Sequence, residues 1–281
     1  MVALNSLISG FIAEGDFTQV ICLSNNSIKA KKLAEIIPNK LPITVLTSHL
    51  RVAEHCHEAG IKSTLLEDNL VAHDLGVLSS VHDFVIQAMG EGGLSKDDRL
   101  LVVLLEPVEG IIIIEPGQLV LNRLAAVANE HGVELEVLTK ITELARRLGS
   151  RGRENRPVGA LFAIGSIQRL RGNTTAIVLN PFKGHSEAKR TVMNPDNLES
   201  FVEFAWLDGA ILFNNKGIAS DAGRYVQVGD NIHAKSGEGG RHLAARAISQ
   251  QADAIAICVS SNGTISLYSN IQLTSIEVMY N

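Results

Sequence analysis

Between Thr18 and Pro116 short apolar runs alternate with stretches of helical spacing, and this alternation constrains the fold more than any single motif. Residues 19–23, 43–46, 63–66, 100–104 and 111–114 read as short buried strands, the last two leucine-rich or β-branched throughout. Between them residues 27–37, 50–59 and 71–89 read as helices. Strands that alternate with helices imply a parallel sheet joined by right-handed crossovers. Ahead of it, Leu4, Leu7, Ile8, Phe11 and Ile12 recur at helical spacing without a basic leader or a cleavage site. The spacing therefore predicts a packed helix and a cytoplasmic protein.

The pattern changes after Pro116-Gly117. Residues 118–130 and 135–147 read as two amphipathic helices, with Leu121, Leu124, Ala125 and Ala128 on one core face and Leu138, Ile141, Leu144, Ala145 and Leu148 on the other. Strands follow at 158–164, near 175–179 and at 210–213, with 217–220 answering the last across the Asn214-Asn215-Lys216 turn. Helices are expected at 197–205 and 241–250, and two further strands at 254–260 and 264–268. The expected architecture is an N-terminal parallel-sheet α/β domain over 1–117, then a mixed-sheet α/β domain flanked by helices over 118–281. No linker of low complexity separates them.

Composition excludes several classes. Hydrophobic residues make up 46% and charged residues 20% of the 281, as in ordinary globular proteins. A net charge of −5 gives no general attraction to nucleic acid or anionic lipid. The longest apolar runs fall short of a membrane span. Cys22, Cys56 and Cys258 are odd in number and set among apolar neighbours, so they read as reduced thiols. His49, His55, Cys56 and His57 are too close together on one helix to point at one metal, and read as solvated or core side chains. Arg146, Arg147, Arg151, Arg153 and Arg156 read as the solvated end of a helix.

Chemistry concentrates in two short motifs. Asp208-Gly209-Ala210 ends a helix and opens a strand, offering one carboxylate beside a residue that permits close approach. An Asp before Gly is also ordinary turn chemistry. Gly237-Glu238-Gly239-Gly240-Arg241-His242 is a glycine-rich turn that opens a helix, where backbone N–H groups and a fixed cation suit phosphate. Arg opposes the helix dipole there unless an anion is bound; the alternative is a hairpin loop with a surface Arg. His242 reads either as a phosphate ligand or as a buried structural histidine. Ser260 and Ser261 end the strand before Asn262-Gly263, and Tyr225 offers a ring for stacking or for the core.

The order of these segments is more specific than any one of them. Leu207-Asp208-Gly209-Ala210-Ile211, then 218–223, then Gly240-Arg241-His242-Leu243-Ala244-Ala245, then an apolar strand leading into Ser260-Ser261-Asn262-Gly263, together resemble the diadenylate cyclase (DAC, DisA_N) domain family. The resemblance runs from about Pro157 to Tyr268 and is nearest the archaeal stand-alone, DacZ-like type. That type carries an N-terminal α/β domain similar to the C-terminal domain of pyruvate kinase. The resemblance implies an enzyme that condenses two ATP into cyclic di-AMP and releases two pyrophosphates. Asp208 would hold Mn²⁺ or Mg²⁺, and Asp208, Arg241 and His242 would form the catalytic set. Gly239, Gly240, Arg241, Ser260 and Ser261 would hold the triphosphate, while Gly209, Ala210 and Tyr225 would line adenine and ribose. Two such domains would have to face each other, so the active species would be at least a dimer, with ATP as substrate and neither nucleic acid nor membrane as partner.

The chain departs from the family pattern at Leu243, where the motif usually has Arg, at Gly240, where many members have Thr, and at Ser261, where many have Glu. The missing Arg removes one phosphate contact, for which Arg224 and Arg246 are the candidate replacements. The alternative is a non-catalytic sensor of ATP or cyclic di-AMP in the same cleft. Retention of the metal-binding carboxylate Asp208 favours catalysis. A phosphotransferase built on residues 1–117 is set aside because that half has no phosphate loop.

Overall fold

A computed structural model describes residues 2–66, 81–82, 84–86, 88–89, 93–106, 109–150, 158–233 and 239–269. The chain divides into two compact units, residues 1–88 with 94–120, and residues 89–93 with 121–281.

The first unit starts with α1 (Val2–Glu14), which buries Leu4 and Ile8. Then come β1 (Gln19–Leu23), α2 (Ser27–Ile36), β2 (Ile43–Thr47), α3 (Leu50–Glu58), β3 (Lys62–Leu65), β4 (Leu100–Leu104) and β5 (Gly110–Ile114). The sheet order is β3-β2-β1-β4-β5. Its centre is apolar on both faces: every residue of β4 is buried, as helices on either side of a parallel sheet require. Asn26 caps α2 by accepting from the amides of Ile28 and Lys29 at 3.0 and 3.1 Å.

The structure departs from an all-parallel sheet at β5, which pairs with β4 antiparallel. Only residues 105–109 join the two strands, too few for a parallel crossover. Of the helix expected at 71–89, residues 71–80 lie outside the described residues; those described from 81 to 89 are helical.

Helix α4 (Pro116–Glu130) carries the chain from the first unit to the second. Next are α5 (Leu135–Ser150), β6 (Ala160–Ile164), α6 (Ile167–Gly172), β7 (Thr174–Ala176), α7 (Leu198–Phe204), β8 (Ala210–Phe213), β9 (Ala219–Val226), α8 (Gly240–Ala252), β10 (Ile255–Val259) and β11 (Ile265–Tyr268). The six-stranded order is β11-β10-β6-β8-β9-β7. Strands β6 and β8 run parallel, while β10 and β9 run antiparallel to them on either side.

Alternation along β6 sorts the core. Leu161 and Ala163 join the cluster under α8, which is rich in alanine (Ala210, Ala245, Ala256), so helix and sheet approach closely. Phe162 belongs to the opposite face, where it meets Phe213 at 6.2 Å between ring centroids, and Phe213 in turn meets Phe201 at 5.4 Å.

Strand β9 gains a residue on β8 twice. Ala210 faces Arg224, but Leu212 faces Asp221 and Phe213 faces Ala219. Gly223, at φ +66°, occupies the first of these bulges, a conformation that a side chain would strain.

Candidate active site

Strand polarity brings the motifs of the second unit to one sheet edge. The starts of β6 and β8 lie there, beside the end of β10 and the last residues of β9. The glycine-opened helix α8 begins over the same edge. Its first residue Gly240 follows the extended Gly239, and the amides at such a start have no carbonyl partner within the helix. No acidic side chain stands in that first turn, where Arg241 does.

These elements enclose a cleft of about 510 Å³, lined by Asp208, Gly209, Arg224, Tyr225, Gly240 and Arg241 over an apolar floor that includes Leu161, Val226 and Leu243. Asp208 is exposed, held in the turn that leads into β8. Behind it Gly209 adopts φ +98°, and a Cβ there would stand 2.6 Å from the carbonyl oxygen of Arg224. Only glycine fits between these two segments. Tyr225 lines the cleft and is 62% exposed. Ala210 is fully buried in β8, beneath the cleft rather than on its surface.

Ser260, Ser261, Gly239 and His242 do not line the cleft. Ser260 lies in the β10–β11 turn at the same sheet edge, its hydroxyl donating to Asn262 Oδ1 while its amide donates to the Thr264 carbonyl. The His242 ring meets Tyr268 of β11, with Nδ1 2.7 Å from the phenol oxygen and the rings edge to face. Gly237 and Glu238 lie outside the described residues.

Neither candidate for the absent motif cation turns its guanidinium freely into the cleft. Arg224 donates to the Thr174 hydroxyl and carbonyl and to the Arg171 carbonyl. Arg246 is buried and donates to the His233 carbonyl at 2.7 Å. Leu243 packs against the apolar cluster under α8.

A second polar network braces β9. Arg171 of α6 donates to Asp221 at 2.9 Å and to Ser220, Ser220 donates to Asp221 at 2.6 Å, and Asn180 donates to the Ser220 carbonyl. The buried Asp221 carboxylate is thereby paired and hydrogen-bonded, as a charge inside a fold must be. Arg171 and Asn180 have no local signal in the sequence, lying 50 and 40 residues from the groups they bind.

Among the described residues no cluster of three or more His, Cys, Asp or Glu is arranged to hold a metal. In the His49–His57 segment Cys56 is buried inside α3, while His55 and His57 lie in its exposed last turn. Asp208 is the one carboxylate among the described residues lining the cleft. A single carboxylate completed by substrate phosphates and water is a donor set for a hard dication such as Mg²⁺ or Mn²⁺ rather than a closed zinc cage.

A mixed α/β unit with a phosphate-ready helix start over one open sheet edge defines a nucleotide-binding class of domain. Residues 147–273 match the family described as DAC, DisA bacterial checkpoint controller nucleotide-binding. Over 128 residues the chain is 33% identical to a diadenylate cyclase of Methanocaldococcus jannaschii, covering 46% of this chain and 40% of that protein. Over 128 residues it is 31% identical to a diadenylate cyclase of Haloferax volcanii, covering 45% of this chain and 46% of that one. The match thus spans less than half the length of either relative. Among solved structures, a double mutant of DacA from Staphylococcus aureus is 20% identical, with a TM-score of 0.36 over 50% of this chain and 85% of that one. A pyruvate kinase from Cryptosporidium parvum is 16% identical, with a TM-score of 0.34 over 40% of this chain and 22% of that one.

Proposed function

We propose that this protein is a diadenylate cyclase, condensing two ATP into cyclic di-AMP with release of two pyrophosphates. The observation that carries the reading is the convergence of Asp208, Tyr225 and Arg241, from three separate segments, on one cleft of about 510 Å³. That volume lies within the usual range for small-molecule sites. The named activity of the two matched relatives supports it.

Each ribose 3′-oxygen forms a bond to the α-phosphorus of the other ATP. The bond from that phosphorus to its bridging oxygen breaks, pyrophosphate leaves and the hydroxyl proton is released. Asp208 would hold the divalent metal, which when bound polarises the α-phosphate and favours ionisation of the 3′-hydroxyl. Arg241 and the first amides of α8 neutralise and orient the triphosphate. Tyr225 stacks on adenine, and Gly209 leaves room for the ribose beside Asp208. His242, tied to Tyr268, fixes the first turn of α8 and so the direction of Arg241. Holding the reacting groups in line supplies on the order of 7 to 11 kcal/mol of the barrier reduction. One cleft holds one ATP and the product is two-fold symmetric, so two copies of the second unit must face each other.

Full-length protein incubated with ATP and Mn²⁺ or Mg²⁺ should yield cyclic di-AMP by mass spectrometry. ATP bound but unconverted with either metal would replace this reading with that of a nucleotide sensor.

A further inference from the structure

We propose that Gly159 is a positioning residue for Arg241, its missing side chain providing the seat on which the guanidinium lies. This deepens the cyclase reading and rests on it. Gly159 immediately precedes β6 and has no positive φ, so its backbone does not call for glycine. What calls for it is space: a Cβ at 159 would stand 2.5 Å from a terminal guanidinium nitrogen of Arg241, 2.7 Å from Cζ and 3.0 Å from Nε. All three contacts are to one planar group, which therefore lies across the Cα of residue 159. The Cys258 thiol, on the β10 rung opposite Leu161, feels the same guanidinium charge. Arg241 is thus exposed on one side while its guanidinium lies against the β6–β10 edge on the other.

The seat sets the reach of a flexible cation. A free arginine loses rotamer entropy when it grips phosphate. One already flattened against backbone at the cleft wall has lost much of that freedom before nucleotide arrives. The site holds one motif cation where its family usually has two, so the direction of Arg241 counts for more here. The group that a new side chain at 159 would meet is the far end of that flexible arginine, so the arginine would yield while the strand stays. Gly159→Ala should leave the fold intact and misplace the cation.

The experiment is a double-mutant cycle on the full-length chain, reading ATP affinity by calorimetry with a non-hydrolysable ATP analogue, KM and kcat by product formation, and unfolding temperature. Gly159→Ala should raise the analogue Kd and KM about tenfold with a smaller change in kcat. In an Arg241→Ala background the same change should alter affinity less than about twofold, because the two residues act as one. Equal effects in the two backgrounds, or wild-type affinity in Gly159→Ala, would overturn the positioning role while leaving the cyclase reading standing. Failure of the wild type to bind the analogue would sink both. Should Gly159→Ala fail to fold, recovery of folding in Gly159→Ala/Arg241→Ala supports the proposal, since the clash is then with Arg241. A double variant that also fails to fold overturns it.

Discussion

Asp208 and Arg241 do different work although they line the same cleft, and their substitutions should separate. In the proposed mechanism Asp208 acts on charge that develops as the 3′-oxygen attacks. Asp208→Ala should therefore lower kcat at least a hundredfold, about 3 kcal/mol of transition-state stabilisation, with ATP affinity much less affected. Equal turnover by the variant would remove Asp208 from the chemistry. Both residues were legible in the sequence because each sits beside glycines at an element boundary. Gly159 was not legible as a site residue. Its reason for being glycine is a guanidinium that arrives from 82 positions later in the chain, and only the folded distances reveal it. The same holds for the Asp221 carboxylate and its partners Arg171 and Asn180.

Among the elements, those whose signal is local were read correctly. The apolar runs of β1, β4 and β8 appear at the expected residues. Helix α6 lies between the strands expected at 158–164 and 175–179, where the sequence predicts no element, because it is only six residues long with a single buried side chain, Leu170. Strand β9 was expected to end at 220 and continues to Val226. Its continuation carries Asp221 and Gly223, which break an apolar pattern, and tertiary partners and the bulge supply what the pattern lacks. The strand expected near 175–179 is β7, Thr174–Ala176, an edge strand of its sheet, exposed from Thr175 onward.

Strand β10 also carries a titratable group with a measurable consequence. Burial pushes the Cys258 thiol up to about 12, against the pull of Arg241. The native state then keeps a proton that the unfolded state, near 9, gives up. Stability should be level below pH 9 and fall as pH rises from 9 towards 12, by up to about 1.4 kcal/mol per pH unit from this group. Urea midpoints for wild type and Cys258→Ala at pH 7.5 and 10 check the sign: the variant should lose less on going to pH 10. An identical loss would show that this thiol does not set the alkaline limit. Cys22 is raised in the same direction by burial, so the variant should soften the loss and not abolish it.

At the scale of the whole molecule, a reaction needing two facing clefts must depend on protein concentration. Activity per subunit should fall as the protein is diluted below its dimer dissociation constant and recover on concentration. Constant specific activity through the range where sedimentation shows monomer would exclude the facing arrangement. The order in which the sheet is built has a consequence for how the protein comes to be active. Strand β6 lies at the heart of the second unit, yet it waits for β10 on one side, whose paired residues lie 91 to 99 positions further along the chain. The helix that brings Arg241 to the cleft, α8, lies within the loop which that late pairing closes, and the Arg241 guanidinium rests at Gly159 just before β6. Closing so long a loop comes late in folding because its entropy must be met before its contacts form. Nucleotide binding and the completion of folding should therefore arrive together, so that a half-folded chain holds no ATP.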